Sequence, residues 1–529
     1  MDSKADAKDT IGIALLQKGK KGITRMLFSR MGLIIVLLLI QIFFLFSAFR
    51  WFEEFLPHIY GGAVLFSAFM VLYLLNSHLN NSAKITWLVV IMLLPPFGAC
   101  LYLFIEGDVG HRALKKRAQQ ITEDTKNELQ QAPEVFAQLE QISPGSAALA
   151  RYVAHTGCYP VYDHTDAKYF PLGEDKFEEM LIQLEKAEKF IFLEYFIVCE
   201  GIMWGRTLEV LARKAAQGVE VRMMYDGTCE FSNLPHDYPD RLRKLGIQCK
   251  MFAPVLPFVS THYNYRDHRK ILVIDGKVAF TGGVNLADEY INRYERFGHW
   301  KDTAIMVEGE AARSFTLMFL QMWSIDEKTW SDPKPYLEIP VEPKPKENGF
   351  VLPYGDCPVD DNRVGELVYI DILNRAQHYV HIMTPYLILD GEMETALKFA
   401  AERGVDVRLI LPGIPDKHVP FALAYTHYAS LLESGVKIYE YTPGFVHAKV
   451  FIADDREAVV GTINLDYRSL YHHFECAAYL YDVSCIPQIK ADFAQTQEKC
   501  RVVTPESLPS ETLPRKLTGF VLKALAPLL

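Results

Sequence analysis

The chain has no C-x-x-C pair. Its nine cysteines lie scattered at 100, 158, 199, 229, 249, 357, 476, 485 and 500. That spacing excludes a zinc ribbon and a thioredoxin-type redox site. An odd, dispersed set is also a poor disulfide framework, so the cysteines read as small apolar residues in a domain facing a reducing compartment. Positive charge is not in excess, with 55 Lys and Arg against 65 Asp and Glu, a formal net charge of −10. A general nucleic-acid binder carries a basic surface, so no nucleic-acid partner is expected. No G-x-x-x-x-G-K-[ST] loop is present to cradle a nucleotide. No run of Asp, Glu and His has metal-ligand spacing either, and neither a metal nor another cofactor is expected.

What the chain does have is length, apolar residues and two kinds of pattern. Its 529 residues are enough for two or three domains, and half of them are apolar. Three uncharged runs, 31–49, 59–75 and 85–105, come early. The first, MGLIIVLLLIQIFFLFSAF, is long enough at about 1.5 Å per residue to cross a hydrocarbon core of about 30 Å. No small-residue cleavage site follows it, so it reads as an uncleaved anchor. Lys18, Lys20, Lys21, Arg25 and Arg30 precede it and place the N-terminus in the cytoplasm. His111, Arg112, Lys115, Lys116 and Arg117 follow the third run and also favour the inside. Pro95, Pro96 and Gly98 break that run in its middle. A re-entrant hairpin reconciles the charges, and a kinked crossing is the competing choice. The expectation is a multi-pass protein of the cell membrane with its catalytic part in the cytoplasm.

The remainder repeats. ARKAAQGVEVRMMYDG (Ala212–Gly227) matches KFAAERGVDVRLILPG (Lys398–Gly413), and LGIQCKMF (Leu245–Phe252) resembles SGVKIYEY (Ser434–Tyr441). FIFLEYFIV (Phe190–Val198) answers YVHIMTPYLIL (Tyr379–Leu389). Each copy reads strand, helix, strand, with VEVRMMY and VDVRLIL as buried strands bounded by Gly. This predicts an α/β fold, two homologous sandwich lobes with mixed sheets around a pseudo-twofold axis, preceded by transmembrane helices. The expected divisions are a membrane region at 1–107, a juxtamembrane linker at 108–146 and a first lobe at 147–330. A Pro-rich connector at 331–349, a second lobe at 350–510 and a tail at 511–529 follow.

Inside each copy sits H-x-K-x4-D: His268, Lys270 and Asp275, then His447, Lys449 and Asp454. The residues after each lysine are strand material. Residues two apart on a strand share a face, so each histidine lies beside its lysine. Asp275-Gly276 reads as a tight turn. An imidazole is a nucleophile available near neutral pH, and an ammonium neutralises the non-bridging oxygens of a phosphodiester. With two copies, one histidine attacks phosphorus and the other donates a proton to the leaving alkoxide. Asn285 and Asn464, in TGGVN and GTIN, are candidates to hydrogen-bond phosphate oxygens. Asp302 and Glu475 follow the two motifs and are candidates to orient the imidazoles through the far ring nitrogen.

These paired motifs resemble the phospholipase D superfamily. NYRDHRKILVIDG, TPY, RGVDVRLILP, GVKIY and GTINLDYRSLYHHFE, together with the membrane segments and their Pro-Gly break, resemble bacterial cardiolipin synthases across nearly the whole chain. The resemblance implies phosphatidyl transfer from one phosphatidylglycerol to the glycerol hydroxyl of another. Cardiolipin and glycerol would form through a phosphatidyl-histidine intermediate, with phosphatidylglycerol and membrane lipids as partners. By the same analogy His268 is the nucleophile and His447 the general acid, with the reverse assignment open. Phosphatidylethanolamine stays open as a co-substrate, and a hydrolase would share the same core. The chain departs from the simplest pattern in having three hydrophobic runs instead of two, which bears on topology.

Lesser features divide between function and packing. The tail RKLTGFVLKALAPLL (Arg515–Leu529) has one apolar helical face, suited to a lipid surface or to the protein core. His262, His299 and His418 read as packed or solvated. Tyr263, Tyr265 and Tyr290 could line a headgroup pocket or the core. Glu194-Tyr195-Phe196 ends a strand where an active-site wall would stand.

Overall fold

The computed structural model describes residues 60–254, 265–327, 332–341 and 349–508, less 78, 80, 95–96, 107–108 and 361, with isolated positions at 39–40, 43, 46–47, 519 and 522–523. The first hydrophobic run, His262, Tyr263 and the C-terminal tail therefore fall almost wholly outside the described residues. The chain divides into two compact units, residues 18–116 with 254–265 and 511–529 in one, and 117–253 with 266–510 in the other.

In the smaller unit three helices are described, α1 (Tyr60–Leu75), α2 (Asn81–Leu93) and α3 (Phe97–Glu106). The third hydrophobic run is thus two short helices, broken where Pro95 and Pro96 remove backbone donors. Met70 and Leu74 of α1, Trp87 and Ile91 of α2, and Ala99 and Tyr102 of α3 form one core. Gly98 permits the fold-back, because a Cβ there would meet the Val90 carbonyl oxygen at 2.5 Å. The outer faces stay apolar, with Leu65, Phe69, Leu72, Met92 and Leu93 exposed. The expected full crossings are not found among the described residues, where no helix is long and apolar enough to span a membrane. The 16 residues of α1 reach only about 24 Å.

The larger unit contains both predicted lobes. Strands β1 (Thr165–Phe170), β2 (Phe190–Tyr195), β3 (Glu220–Asp226), β4 (Gln248–Phe252), β5 (Arg266–Asp267), β6 (Lys270–Ile274), β7 (Val278–Gly282), β8 (His299–Lys301) and β9 (Ala304–Gly309) belong to the first copy. The second copy supplies β10 (Phe350–Asp356), β11 (Tyr379–Met383), β12 (Asp406–Pro412), β13 (Lys437–Tyr441), β14 (Gly444–Val446), β15 (Val450–Ala453), β16 (Glu457–Gly461), β17 (His473–Tyr481) and β18 (Cys500–Val503). The first sheet runs β1-β9-β7-β6-β2-β3-β4 and the second β10-β17-β16-β15-β11-β12-β13, with β18 added at its edge. The two orders are the same. In both, the two strand pairs joined through helices are parallel and the hairpin-linked pairs antiparallel, which gives the expected mixed sheets.

Residues 108–146 are largely helical: Val109–Thr125 and Pro133–Ile142 are helices, and Pro144–Gly157 begins before position 147. The last of these is tied to the second lobe by a Tyr479–Ser146 hydroxyl contact of 2.9 Å. Within the connector, Tyr336 packs on Phe190 and Phe192 at 5.2 and 5.1 Å between ring centroids. Arg222 Nη2 donates to the Tyr336 hydroxyl over 2.6 Å. The nine cysteines are all free thiols.

Candidate active site

Two short parallel pairings between the lobes build the site. β5 of the first lobe pairs with the start of β17 in the second, Arg266 opposite His473 and Asp267 opposite Phe474. β14 of the second lobe pairs with β8 of the first, Phe445 opposite Trp300 and Val446 opposite Lys301. The register continues one residue further in both. The His268 backbone N–H donates to the Phe474 carbonyl at 3.0 Å, and that of His447 to the Lys301 carbonyl at 2.7 Å. Glu475 and Asp302, the next residues along, then fall beside the imidazoles.

His268 Nδ1 lies 2.8 Å from Glu475 Oε1 and 3.1 Å from Oε2. His447 Nδ1 lies 2.7 Å from Asp302 Oδ2. Each histidine therefore takes its carboxylate from the opposite lobe. The carboxylate that follows a motif in sequence serves the other motif. Gly283 is needed for this approach, since a Cβ there would stand 2.0 Å from Asp302 Oδ1. The Thr462 hydroxyl donates to Glu475 and fixes it from behind.

Both histidines precede their strands: β6 begins at Lys270 itself, and β15 at Val450, one residue after Lys449. The pairing of His and Lys survives. Lys270 Nζ donates to the His268 carbonyl, and Lys449 Nζ donates to that of His447 and stands 3.0 Å from His447 Nδ1. Arg269 points the other way, its Nε donating to the buried Glu194 at 2.6 Å. Glu194 is thus a buried ion-pair partner, while Phe196 forms a wall, its ring 4.9 Å from that of His268. Tyr290, Trp300 and Phe445 surround the His447 ring at 5.4, 5.4 and 5.9 Å. Tyr290 is buried beneath the site, and the His299 ring pairs with the Tyr441 hydroxyl at 3.1 Å.

Asp275 and Asp454 are anchors away from the imidazoles. Both have left-handed backbone, φ 53° and 50°. Asp275 accepts from the N–H groups of Glu188, Lys189 and Phe190 at 2.7–2.8 Å. Asp454 does the same for Gln377, His378 and Tyr379 at 2.7–2.9 Å. Each aspartate clamps the start of the neighbouring central strand. Asn285 is also engaged, accepting from the Ile197 N–H and donating to the Tyr290 hydroxyl, both at 2.9 Å. Asn464 donates to Asp466 at 3.2 Å and leaves its Oδ1 buried without a partner.

The buried charges are tuned unequally. Burial lowers both imidazoles well below their usual value; Glu475 opposes this for His268, and Lys449 reinforces it for His447. Burial brings Lys270 down to about 8 and Lys449 to about 7. Burial also pushes Asp302 up to about 7 against the pull of Lys449. For Glu475 burial works the same way, but the charge and hydrogen bond of His268 outweigh it and hold the carboxyl low.

One neighbour escaped the sequence reading. His473 is buried, its ring 5.3 Å from that of His268, and neither of its nitrogens has a hydrogen-bond partner. The only signal was its place two residues before Glu475. The sequence offered no clustered metal-ligand set, yet folding brings His268, His473 and Glu475 together with ligand atoms within 4.8 Å of one another.

A duplicated α/β lobe with a buried His-Lys pair in each copy, each histidine held by a carboxylate of the other lobe, defines a phosphodiester-transfer enzyme of the phospholipase D type. Comparison with known proteins narrows this. The cardiolipin synthase, PLD-like domain family matches residues 180–323 and 369–497, and the phospholipase D-nuclease N-terminal family matches 63–107. A cardiolipin synthase of Geobacillus kaustophilus is 34% identical over 473 residues, 88% of this chain and 93% of that protein. An uncharacterized protein of Streptococcus mutans is 58% identical over 459 residues, 87% and 99% of the two chains. The crystal structure of a phosphatidylserine synthase from Haemophilus influenzae shares the fold, with a TM-score of 0.55 at 15% identity over 73% of this chain and all of that one. The chain belongs to the cardiolipin synthase family and is a phosphatidyltransferase of the phospholipase D type.

Proposed function

We propose that the enzyme makes cardiolipin and glycerol from two molecules of phosphatidylglycerol, with His268 as nucleophile and His447 as general acid. The observation that carries this reading is the exchanged pair of His–carboxylate contacts, at 2.8 and 2.7 Å. The His268–Glu475 contact fixes a tautomer with Nδ1–H toward the acid and Nε2 free to attack, while a proton held by Asp302 toward His447 Nδ1 leaves that ring's own proton on Nε2. The unequal carboxylates support the division of labour. Glu475 is held ionised beside His268, which suits an imidazole that must attack neutral. Asp302 holds a proton toward neutrality, so the His447 dyad is the one suited to deliver it. In the first step His268 Nε2 bonds to phosphorus and glycerol leaves with a proton from His447. In the second step the hydroxyl of another phosphatidylglycerol gives its proton back to His447 and displaces His268. Lys270 and Lys449 neutralise the phosphoryl oxygens in both steps. The exposed Leu65, Phe69, Met92 and Leu93 of the helical hairpin support a place at the cell membrane.

The test is product analysis in phosphatidylglycerol micelles with chelator present, comparing the wild type with His268→Ala and His447→Ala. Cardiolipin and glycerol from the wild type alone are expected. Phosphatidic acid without cardiolipin would replace this reading with a hydrolase.

A further inference from the structure

His473 poses a problem that the transfer reaction leaves unsolved. A buried imidazole with both nitrogens unpartnered loses hydrogen bonds that water would supply. The carboxylate oxygen Glu475 Oε1 stands 3.8 Å from its Nδ1, too far for a hydrogen bond. That same oxygen is 2.8 Å from His268 Nδ1. Two imidazole nitrogens therefore converge on one carboxylate oxygen, all three ligand atoms lying within 4.8 Å of one another.

We propose that His268, His473 and Glu475 bind a divalent transition-metal ion of the zinc class, and that the bound ion switches the enzyme off. Two imidazoles and a carboxylate are an established zinc ligand set. Ligand atoms around tetrahedral zinc are roughly 3.3 Å apart, so the 2.8 Å His268–Glu475 contact would open and the His473 nitrogen, 3.8 Å from Glu475 Oε1, would move in. The Thr462 hydroxyl already holds Glu475 from behind, as an outer-shell partner does. The site exists in one half only. The residue facing His447 at the equivalent place is Trp300, whose ring lies 5.4 Å away and offers no lone pair. Lys270 opposes a second cation beside it and limits the affinity, although its Nζ is turned to the His268 carbonyl.

Inhibition follows from proton placement and needs no redox step. A metal–Nδ1 bond forms on His268, and the proton that sat on Nδ1 moves to Nε2. The attacking nitrogen then has no lone pair for phosphorus. This part rests on His268 being the nucleophile, whereas the binding part stands by itself.

Full-length protein in detergent, stripped with chelator, would be titrated with zinc against a chromophoric chelator. The wild type would be compared with His473→Asn and His473→Phe, each first checked for an unchanged melting temperature. Removing a direct ligand should weaken zinc binding by at least the roughly tenfold to hundredfold that loss of an outer-shell partner costs. The zinc concentration that halves phosphatidyl transfer should rise by the same factor, with inhibition reversed by chelator. Equal zinc affinity in wild type and both variants, or binding lost only on thiol blocking, would overturn the site. Binding without inhibition would keep the site and overturn the role given to His268.

Discussion

At the scale of single residues, the two aspartates of the repeated motif and the two carboxylates beyond it do different work. Asp275 accepts three backbone hydrogen bonds far from the imidazoles. Asp275→Ala should therefore destabilise the first lobe by about 3 kcal/mol, read as a lower melting temperature, with residual turnover in the fraction that stays folded. Glu475→Gln should do the opposite, keeping the fold while lowering kcat by roughly a hundredfold or more. It should also move the acid limb of the pH–rate profile down, because the lost carboxylate was raising the His268 value. The basic limb belongs to the lysines, which must be charged to hold phosphate, together with the Asp302–His447 pair, which must keep its proton. With values of about 8 and 7 for Lys270 and Lys449, kcat/KM of the free enzyme should fall as pH rises through that interval. A bound phosphodiester raises both lysines, so the basic limb of kcat should lie at higher pH than that of kcat/KM. Equal limbs would mean that the lysines are not the titrating groups.

Among the elements, legibility depended on length. β2, β3, β11 and β12 were readable because runs such as VEVRMMY are long enough to show strand character between glycines. β5, β8 and β14 are two or three residues each and carry no period at all. They alone decide that Glu475 meets His268 and that Asp302 meets His447. Linear order put each acid beside its own motif, so the exchange was invisible while the residues themselves were not. The helical break at Pro95-Pro96 was legible for the converse reason, since proline acts locally. At Gly98 a Cβ would press on the Val90 carbonyl oxygen at 2.5 Å. Gly98→Val should open the α2–α3 packing and lower the melting temperature of the detergent-solubilised protein. An unchanged melt would mean that the two helices do not fold back on each other.

For the whole molecule, neither lobe owns a complete dyad. A chain cut within 342–348 should yield two fragments that are each inactive in phosphatidyl transfer. Co-expression of the two should restore turnover, measured as cardiolipin formed per mole of complex. Activity in the first fragment by itself would contradict the exchanged contacts at 2.8 and 2.7 Å.

The exchange also says something about descent. Two identical half-length chains, meeting about a true dyad, would each have lent an acid to the other's histidine. Neither could have worked unaccompanied. One polypeptide carrying both copies keeps that partnership without a dimer and leaves each copy free to differ. The outcome is visible at a single pair of equivalent positions, where one copy keeps an indole at Trp300 and the other an imidazole at His473.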